Sequence, residues 1–289
     1  MMQDIRNVVG SKARYFPLKP LEKRIRNRLK KPGRRQPIVR LVVTAKGRKY
    51  KLLTVGNKNK KHVLRMLRMK RYFDTLNFVP KIVWKDDKSI LVEFIEGKFP
   101  DFKDHIFARW FGEHLAVIHN IDVSSLDAEK LIDNVRSNIE FLRSSNMLSL
   151  EMGKRFLAKV KSTQPDNIRT SMVYANMNNM QNFVFSNNNK LYFIDLGSFQ
   201  TGRITDEFLF GSKLYKQIDL NVFKKSYLGA GGTKYIFENE QFMRIIHSIS
   251  RGAHQLRGFQ TLSSFDWRKR RSRLLKAKTV IDALKVEME

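Results

Sequence analysis

Residues 171–199 read SMVYANMNNMQNFVFSNNNKLYFIDLGSF, and the fold turns on how this stretch is understood. Two short apolar runs, NFVF (182–185) and KLYFID (190–195), flank the turn SNNNK, which is the pattern of an antiparallel hairpin. The second run ends on Asp195 just before Gly197, so an apolar strand delivers a carboxylate to a glycine turn. The loop ahead of the hairpin, YANMNN (174–179), is rich in side-chain amides and holds no carboxylate. An amide can donate and accept hydrogen bonds, but it cannot take a proton near neutral pH.

Upstream, the apolar periodicity is that of a small sheet. PIVRLVVTAKGRKYKLLTVG (37–56) has two β-branched runs around Lys46-Gly47 and predicts a hairpin. KNKKHVLRMLRMKRYFDTL (58–76) places Val63, Leu64, Leu67, Tyr72 and Phe73 on a helix whose other side is basic. VPKIVWKDDKSILVEFIEG (79–97) gives two more strands about Asp86-Asp87, with Gly97 at the exit. Residues 1–37 form a basic arm in which PLEKRIRNRLKK predicts a short helix stopped by PGRRQP. Beyond Gly97 the pattern becomes mainly helical. PDFKDHIFARWFGEHLAVIHNID (100–122) sets Phe102, Ile106, Trp110, Leu115 and Ile118 on one face, with Asp101 or Asp104 as cap. Further helices are expected at about 126–145, at about 149–162, and from about Phe208 to the end with a break at GAGGT. The fold class is therefore α+β: a small antiparallel β lobe with one helix (38–97) followed by a larger, mainly helical lobe (98–289).

A sheet lobe, a hinge near EFIEGK, a helical lobe and a strand pair closed by IDLG follow the order of a kinase-like phosphotransferase. The chain resembles the aminoglycoside phosphotransferase and choline kinase superfamily, and within it the bacterial lipopolysaccharide core heptose kinases. The resemblance rests on LVEFIEG (91–97), FGEHLAVIHNID (111–122), YANMNNMQNFVF (174–185) and LYFIDLGS (191–198), and spans roughly Val39 to Leu256.

That resemblance implies ATP and Mg²⁺ as cofactors, and a site that positions reactants and neutralises charge around a loose, anionic transition state. Asp195 takes the place of the metal-binding carboxylate and Asn182, directly before the strand FVF, that of the metal-binding amide. The family sets a catalytic aspartate five residues before that amide; here Met177 is five back and Asn176 six. With a one-residue insertion Asn176 stands at the catalytic position; without one, Gln181 takes the metal position. Neither alignment supplies a carboxylate, so a general-base contribution of about 10²- to 10⁴-fold is expected to be missing. The nucleotide-binding positions fall on Lys51, from a shifted strand register, and on Glu93 at the hinge. Lys51 reads equally as one more solvated lysine, Asp195 alone as a turn cap, and the helix after Lys51 has no acidic residue to pair with it.

Bulk properties narrow the partners. At 289 residues, 42% hydrophobic with 21 Phe, the chain can bury a sizeable core. It has no cysteine, which removes disulfides, thiolate metal sites and a cysteine nucleophile. His114 and His119 are five apart, off a common helical face, and are expected to pack rather than bind zinc. No apolar run is long enough to span a bilayer or to form an export signal, so a cytoplasmic address, peripheral to the inner face of a membrane, is expected. The net charge is +29; residues 1–72 hold 24 Lys+Arg against 2 Asp+Glu, and the rest 32 against 25. A field so placed favours an anionic carbohydrate or glycolipid acceptor beside the nucleotide, contact with an anionic membrane, or RNA. Three readings follow: a kinase acting on a carbohydrate or glycolipid hydroxyl, a pseudokinase that binds without turnover, and an RNA-binding protein on the same shell.

Overall fold

The structure, a computed structural model, describes residues 2–17, 38–54, 60–121, 128–165, 170–204, 212–234 and 240–286. It divides into two compact units, one of Met1–Leu115, Tyr174–Gln200 and Lys213–Ala230, the other of Ala116–Val173, Thr201–Ser212 and Gly231–Glu289.

The first unit opens with helix α1 (Met2–Val9) and strand β1 (Arg14–Pro17), two elements within the stretch read from sequence as a basic arm. Ile5 and Val9, one helical turn apart, are buried with Val42, Leu52 and Leu91, so burial of two apolar side chains outweighs the surrounding charge. The helix expected over PLEKRIRNRLKK lies outside the described residues. Strands β2 (Ile38–Val43) and β3 (Lys49–Thr54) form the expected hairpin, its turn closed by Gly47 at φ 76°, a left-handed conformation that glycine adopts without strain. Helix α2 (Lys60–Phe73) follows, then β4 (Ile82–Lys85) and β5 (Ser89–Glu93). The sheet is antiparallel with strand order β1-β2-β3-β5-β4. The inner face of α2 is Val63, Met66, Met69 and Phe73, while Leu64 is exposed. Unbranched methionines fill positions that the sequence reading gave to leucines.

Strand β6 (Gly97–Lys98) leads into helix α3 (His105–His119). Asp104 caps that helix, its Oδ1 accepting from the Ile106 amide at 2.8 Å and its carbonyl from the Ala108 amide at 3.0 Å. Phe107, Phe111 and Leu115 point inward and Ile106 is exposed, so the buried face is rotated by about one residue from the expected one. The larger Phe side chains, spaced i and i+4, set the phase.

Helices α4 (Ala128–Ser144) and α5 (Leu150–Ser162) come next, the latter capped by Ser149, whose hydroxyl accepts from the Met152 amide. Strand β7 (Thr170–Tyr174) returns the chain to the first unit, where β8 (Phe183–Ser186) and β9 (Leu191–Phe193) form the expected hairpin. Strand β6 pairs with the free edge of β8, and a Cβ at Gly97 would sit 1.8 Å from the Phe185 carbonyl oxygen, so glycine is required there. Strand β10 (Phe199–Arg203), the short α6 (Ser212–Tyr215) and α7 (Leu220–Gly229) follow. Fully buried rings from all these pieces, Phe73, Phe78, Phe107, Phe111, Tyr174, Phe183, Phe193, Phe199 and Phe223, make the aromatic core of the first unit. Phe193 alone meets Phe78, Phe111, Tyr174 and Phe183 at centroid separations of 4.9–5.8 Å.

The second unit is helical. Helices α4 and α5 pack with α8 (Glu240–Gln260) and α9 (Trp267–Val286) around Val135, Leu142, Phe156, Val160, Ile249, Ala253 and Ile281. Among the described residues no helix is long and apolar enough to cross a membrane.

Candidate active site

All five residues singled out from the sequence, Asn176, Asn182, Asp195, Lys51 and Glu93, lie in the first unit. The asparagine loop is organised by its own side chains. Asn182 is buried; its Nδ2 donates to the Asn176 carbonyl at 2.9 Å, and its Oδ1 accepts from Asn179 Nδ2 at 3.0 Å. Asn179 in turn caps the 3-10 turn Met180–Asn182. These bonds tie Asn182 to Asn176 across the loop. The Asn176 side chain is exposed at the loop's surface, where it can meet a ligand but cannot accept a proton.

Asp195 begins the 3-10 turn Leu196–Ser198 and is half-buried. Its Oδ1 accepts from the Gly197 amide at 3.2 Å and its Oδ2 from the Ser198 hydroxyl at 2.7 Å. It is therefore a turn cap in fact, yet each carboxylate oxygen has a further lone pair, so capping and metal binding are compatible. Two backbone bonds hold loop and turn together: Ile194 N–H to the Asn182 carbonyl at 2.8 Å, and Ala175 N–H to the Ser198 carbonyl at 2.9 Å.

Lys51 sits on β3, paired in register with Val92 of β5. Lys51 is half-buried; desolvation lowers its pKa below the ordinary lysine value, and the Asp195 carboxylate works in the opposite direction. Since α2 contains no acidic residue, the carboxylate that acts on Lys51 comes from the strand-end turn rather than from the helix. Glu93 stands at the end of β5. Its Oε2 accepts from the Lys81 amide at 3.1 Å and its own amide donates to the Lys81 carbonyl at 3.0 Å, which fastens the end of β5 to the approach to β4.

Three further residues complete the arrangement: Asn179, Ser198 and Tyr174. Tyr174 is fully buried, with its hydroxyl 3.4 Å from the Asn182 carbonyl and hydrogen-bonded to Ser198 and the Asp195 backbone. Burial, reinforced by the Asp195 charge, raises its pKa well above the ordinary value, so it stays a neutral phenol. Asn179 and Ser198 each lie three positions from a residue already singled out, the spacing of side-chain caps, and that spacing was the available signal. Tyr174 offered none beyond closing an apolar run.

No cluster of three or more His, Cys, Asp or Glu able to hold a metal occurs among the described residues. One carboxylate and one amide oxygen are a hard-donor set that suits Mg²⁺, an ion that retains waters and takes further oxygens from phosphates. His114 and His119 both pack inside, as expected. His114 is buried, stacked on Phe78 at 3.9 Å, with Nε2 3.0 Å from the Leu191 carbonyl; burial lowers its pKa to about 4. His119 is also buried.

Solved structures resemble this arrangement of elements over nearly its whole length. A macrolide 2'-phosphotransferase from Brachybacterium faecium superposes with a TM-score of 0.63 at 10% identity, covering 96% of each chain. The fold is that of the kinase-like phosphotransferases. The ADP-bound aminoglycoside phosphotransferase APH(2'')-Ib is similar at TM-score 0.56 and 15% identity, covering 90% of this chain and 97% of its own. An ethanolamine kinase from Plasmodium vivax is similar at TM-score 0.56 and 13% identity, covering 95% and 82%. No protein-family model matches the sequence, and no curated protein matches it. In the terms of the kinase-like fold, Lys51 lies on the small sheet, and the Asn176–Asn182 loop and Asp195 stand on either side of the β8–β9 hairpin.

Proposed function

We propose that the chain transfers a phosphoryl group from ATP to a hydroxyl of a carbohydrate or glycolipid, such as a sugar of a lipopolysaccharide core. The observation that carries this reading is the convergence, within one unit, of a desolvated lysine, the Asp195 carboxylate and a self-braced asparagine loop. Solved structures of similar fold include phosphotransferases, one of them bound to ADP, and that likeness supports nucleotide binding here. In this reading residues 38–97 form the nucleotide lobe and residues 98–289 the helical lobe. Lys51 neutralises nucleotide phosphates, and Asp195 with Asn182 holds Mg²⁺, which when bound supplies charge neutralisation to the transferring group. Asn176 orients the acceptor hydroxyl by hydrogen bonding, and the proton leaves to solvent or to the phosphoryl oxygens rather than to a protein base. Without that base, turnover is lower by about 10²- to 10⁴-fold than with a carboxylate in the same place. The excess of positive charge in residues 1–72 suits an anionic acceptor.

Asn176 also favours a second reading, in which the chain is a pseudokinase that binds nucleotide without turnover. One set of measurements separates the two. Mg·ATP at about 100 times its dissociation constant stabilises the protein by roughly 2.7 kcal/mol, and Asp195→Ala erases the resulting rise in melting temperature. Asn176→Asp raises phosphate transfer to a sugar acceptor while leaving nucleotide affinity unchanged. If millimolar nucleotide with Mg²⁺ or Mn²⁺ produces no shift, both nucleotide readings fail. If nucleotide binds and Asn176→Asp gains nothing, the pseudokinase stands.

A further inference from the structure

The outward face of α9 carries apolar side chains where a solvated helix would carry polar ones. Ala277, Ile281 and Leu284 point into the helical core of the second unit. At about 100° per residue, Leu275 projects almost directly away from them. It is 54% exposed, and Trp267, two turns earlier along the same stripe, is 57% exposed. Phe265, in the turn that enters the helix, is 94% exposed. Trp267 and Leu275 line an open groove of 380 Å³ with Arg268, Arg271, Lys276 and Thr279. Residues 267–279 contain seven Lys or Arg and no Asp or Glu. Asp266, the residue before the helix, is paired with Lys269.

Exposed aromatic and aliphatic side chains set among unopposed cations match a surface that is apolar at depth and anionic at its face. We infer that the Phe265–Thr279 face of α9 docks the protein on an anionic phospholipid bilayer, with Phe265, Trp267 and Leu275 entering the headgroup boundary and Arg268, Arg271 and Lys276 pairing with lipid phosphates. Single-stranded RNA is the other polyanion to weigh, and it needs open aromatic faces for base stacking. Phe265 offers one open ring, but the Arg268 guanidinium lies over the Trp267 ring at 5.5 Å and Leu275 is aliphatic, so the face presents no run of successive stacking platforms. This surface belongs to the second unit alone and does not depend on turnover.

The test uses the full chain and sedimentation with vesicles of phosphatidylcholine, with or without 30% phosphatidylglycerol by design. Binding is expected to the anionic vesicles only, with a blue shift of tryptophan emission that Trp267→Phe removes while Trp84 and Trp110 remain. The triple change Arg268→Gln, Arg271→Gln, Lys276→Gln lowers partitioning on the order of 100-fold, from about fivefold per cation near an anionic surface. Trp267→Ala with Leu275→Ser also weakens binding, and what remains vanishes in about 1 M salt, where the screening length falls to about 3 Å. All these side chains are exposed, so unchanged unfolding midpoints accompany the losses. Unaltered vesicle binding by both multiple variants overturns the inference. So does loss of binding only when Arg24, Arg26, Arg28, Lys30 and Lys31 become Gln, or displacement of the vesicles by a single-stranded RNA oligonucleotide at about 0.15 M salt.

Discussion

Lys51 and the cations of α9 carry the same charge in opposite surroundings. Lys51 stands half-buried on the sheet of the first unit, where desolvation disfavours its charge and one carboxylate, Asp195, restores part of the loss. The α9 cations stand in water around an apolar stripe, with no acidic residue among positions 267–279. A partly buried charge acts through a particular neighbour at short range and is screened less by salt, whereas an exposed group of charges acts as a field that salt erases. The net charge of +29 therefore says little about the first unit's chemistry; a single lysine whose surroundings are unusual says more.

The sharpest way to break this contrast is to truncate one apolar side chain in each region. Phe193→Ala removes a ring that meets Phe78, Phe111, His114, Tyr174, Phe183 and Phe199 and is expected to cost about 3–5 kcal/mol. Leu275→Ala should stay within about 0.5 kcal/mol, because its side chain is exposed. Urea denaturation of the two variants reads the difference, and a comparable loss in both would mean that the α9 stripe is packed against something in the free protein.

A second measurement uses pH. The His114 imidazole is neutral in the fold, with its pKa lowered to about 4 by burial. A group whose folded pKa is depressed gives stability that is whole above its unfolded pKa, about 6.5, and is lost as pH falls toward 4. Over that window the loss amounts to about 3 kcal/mol. His114→Phe, which keeps a ring against Phe78 and cannot titrate, should flatten the slope between pH 6.5 and 4, while changes to the α9 cations should not. The smallest effect concerns the turn. Ser198→Ala removes the 2.7 Å bond to Asp195 and is expected to cost about 1 kcal/mol, with a weaker response to Mg·ATP than the parent.

Much of the fold was legible because its elements are short, strongly periodic and punctuated. The hairpin at Lys46-Gly47 and the one at SNNNK follow from alternation around turn residues, and Asp104 and Ser149 cap helices that begin where apolar spacing begins. The misread faces have a common cause. Side-chain size and competition for the core decide which of two adjacent residues turns inward, so Phe107 displaced Ile106, and Met66 and Met69 displaced the leucines. The folding of residues 2–17 was hidden because two apolar side chains, Ile5 and Val9, are a faint signal within a basic segment. In the site, the sequence pointed to Asn182 and Asp195 as candidates and, by spacing, to local caps beside them, but not to the buried Tyr174. The Asn179 and Ser198 caps are local, three positions from their partners, whereas the Tyr174 hydroxyl acts through contacts made only once the Asp195–Ser198 turn has come back to the loop.

The first unit is stitched from three separate lengths of chain, and that has a consequence for how the protein comes into being. Lys51 and Asp195 are roughly 140 residues apart, and closing a loop of that length costs about 4 kcal/mol in chain entropy before any contact repays it. A nascent chain that has delivered only the sheet cannot yet bring Asp195 to Lys51. At about 5–20 residues per second, synthesis of the intervening helices holds that pairing back for roughly ten seconds or more. During that interval the edge left free for the β8–β9 hairpin and the rings awaiting Phe193 are open to other partners, which makes this the stage at which a chaperone would be most needed.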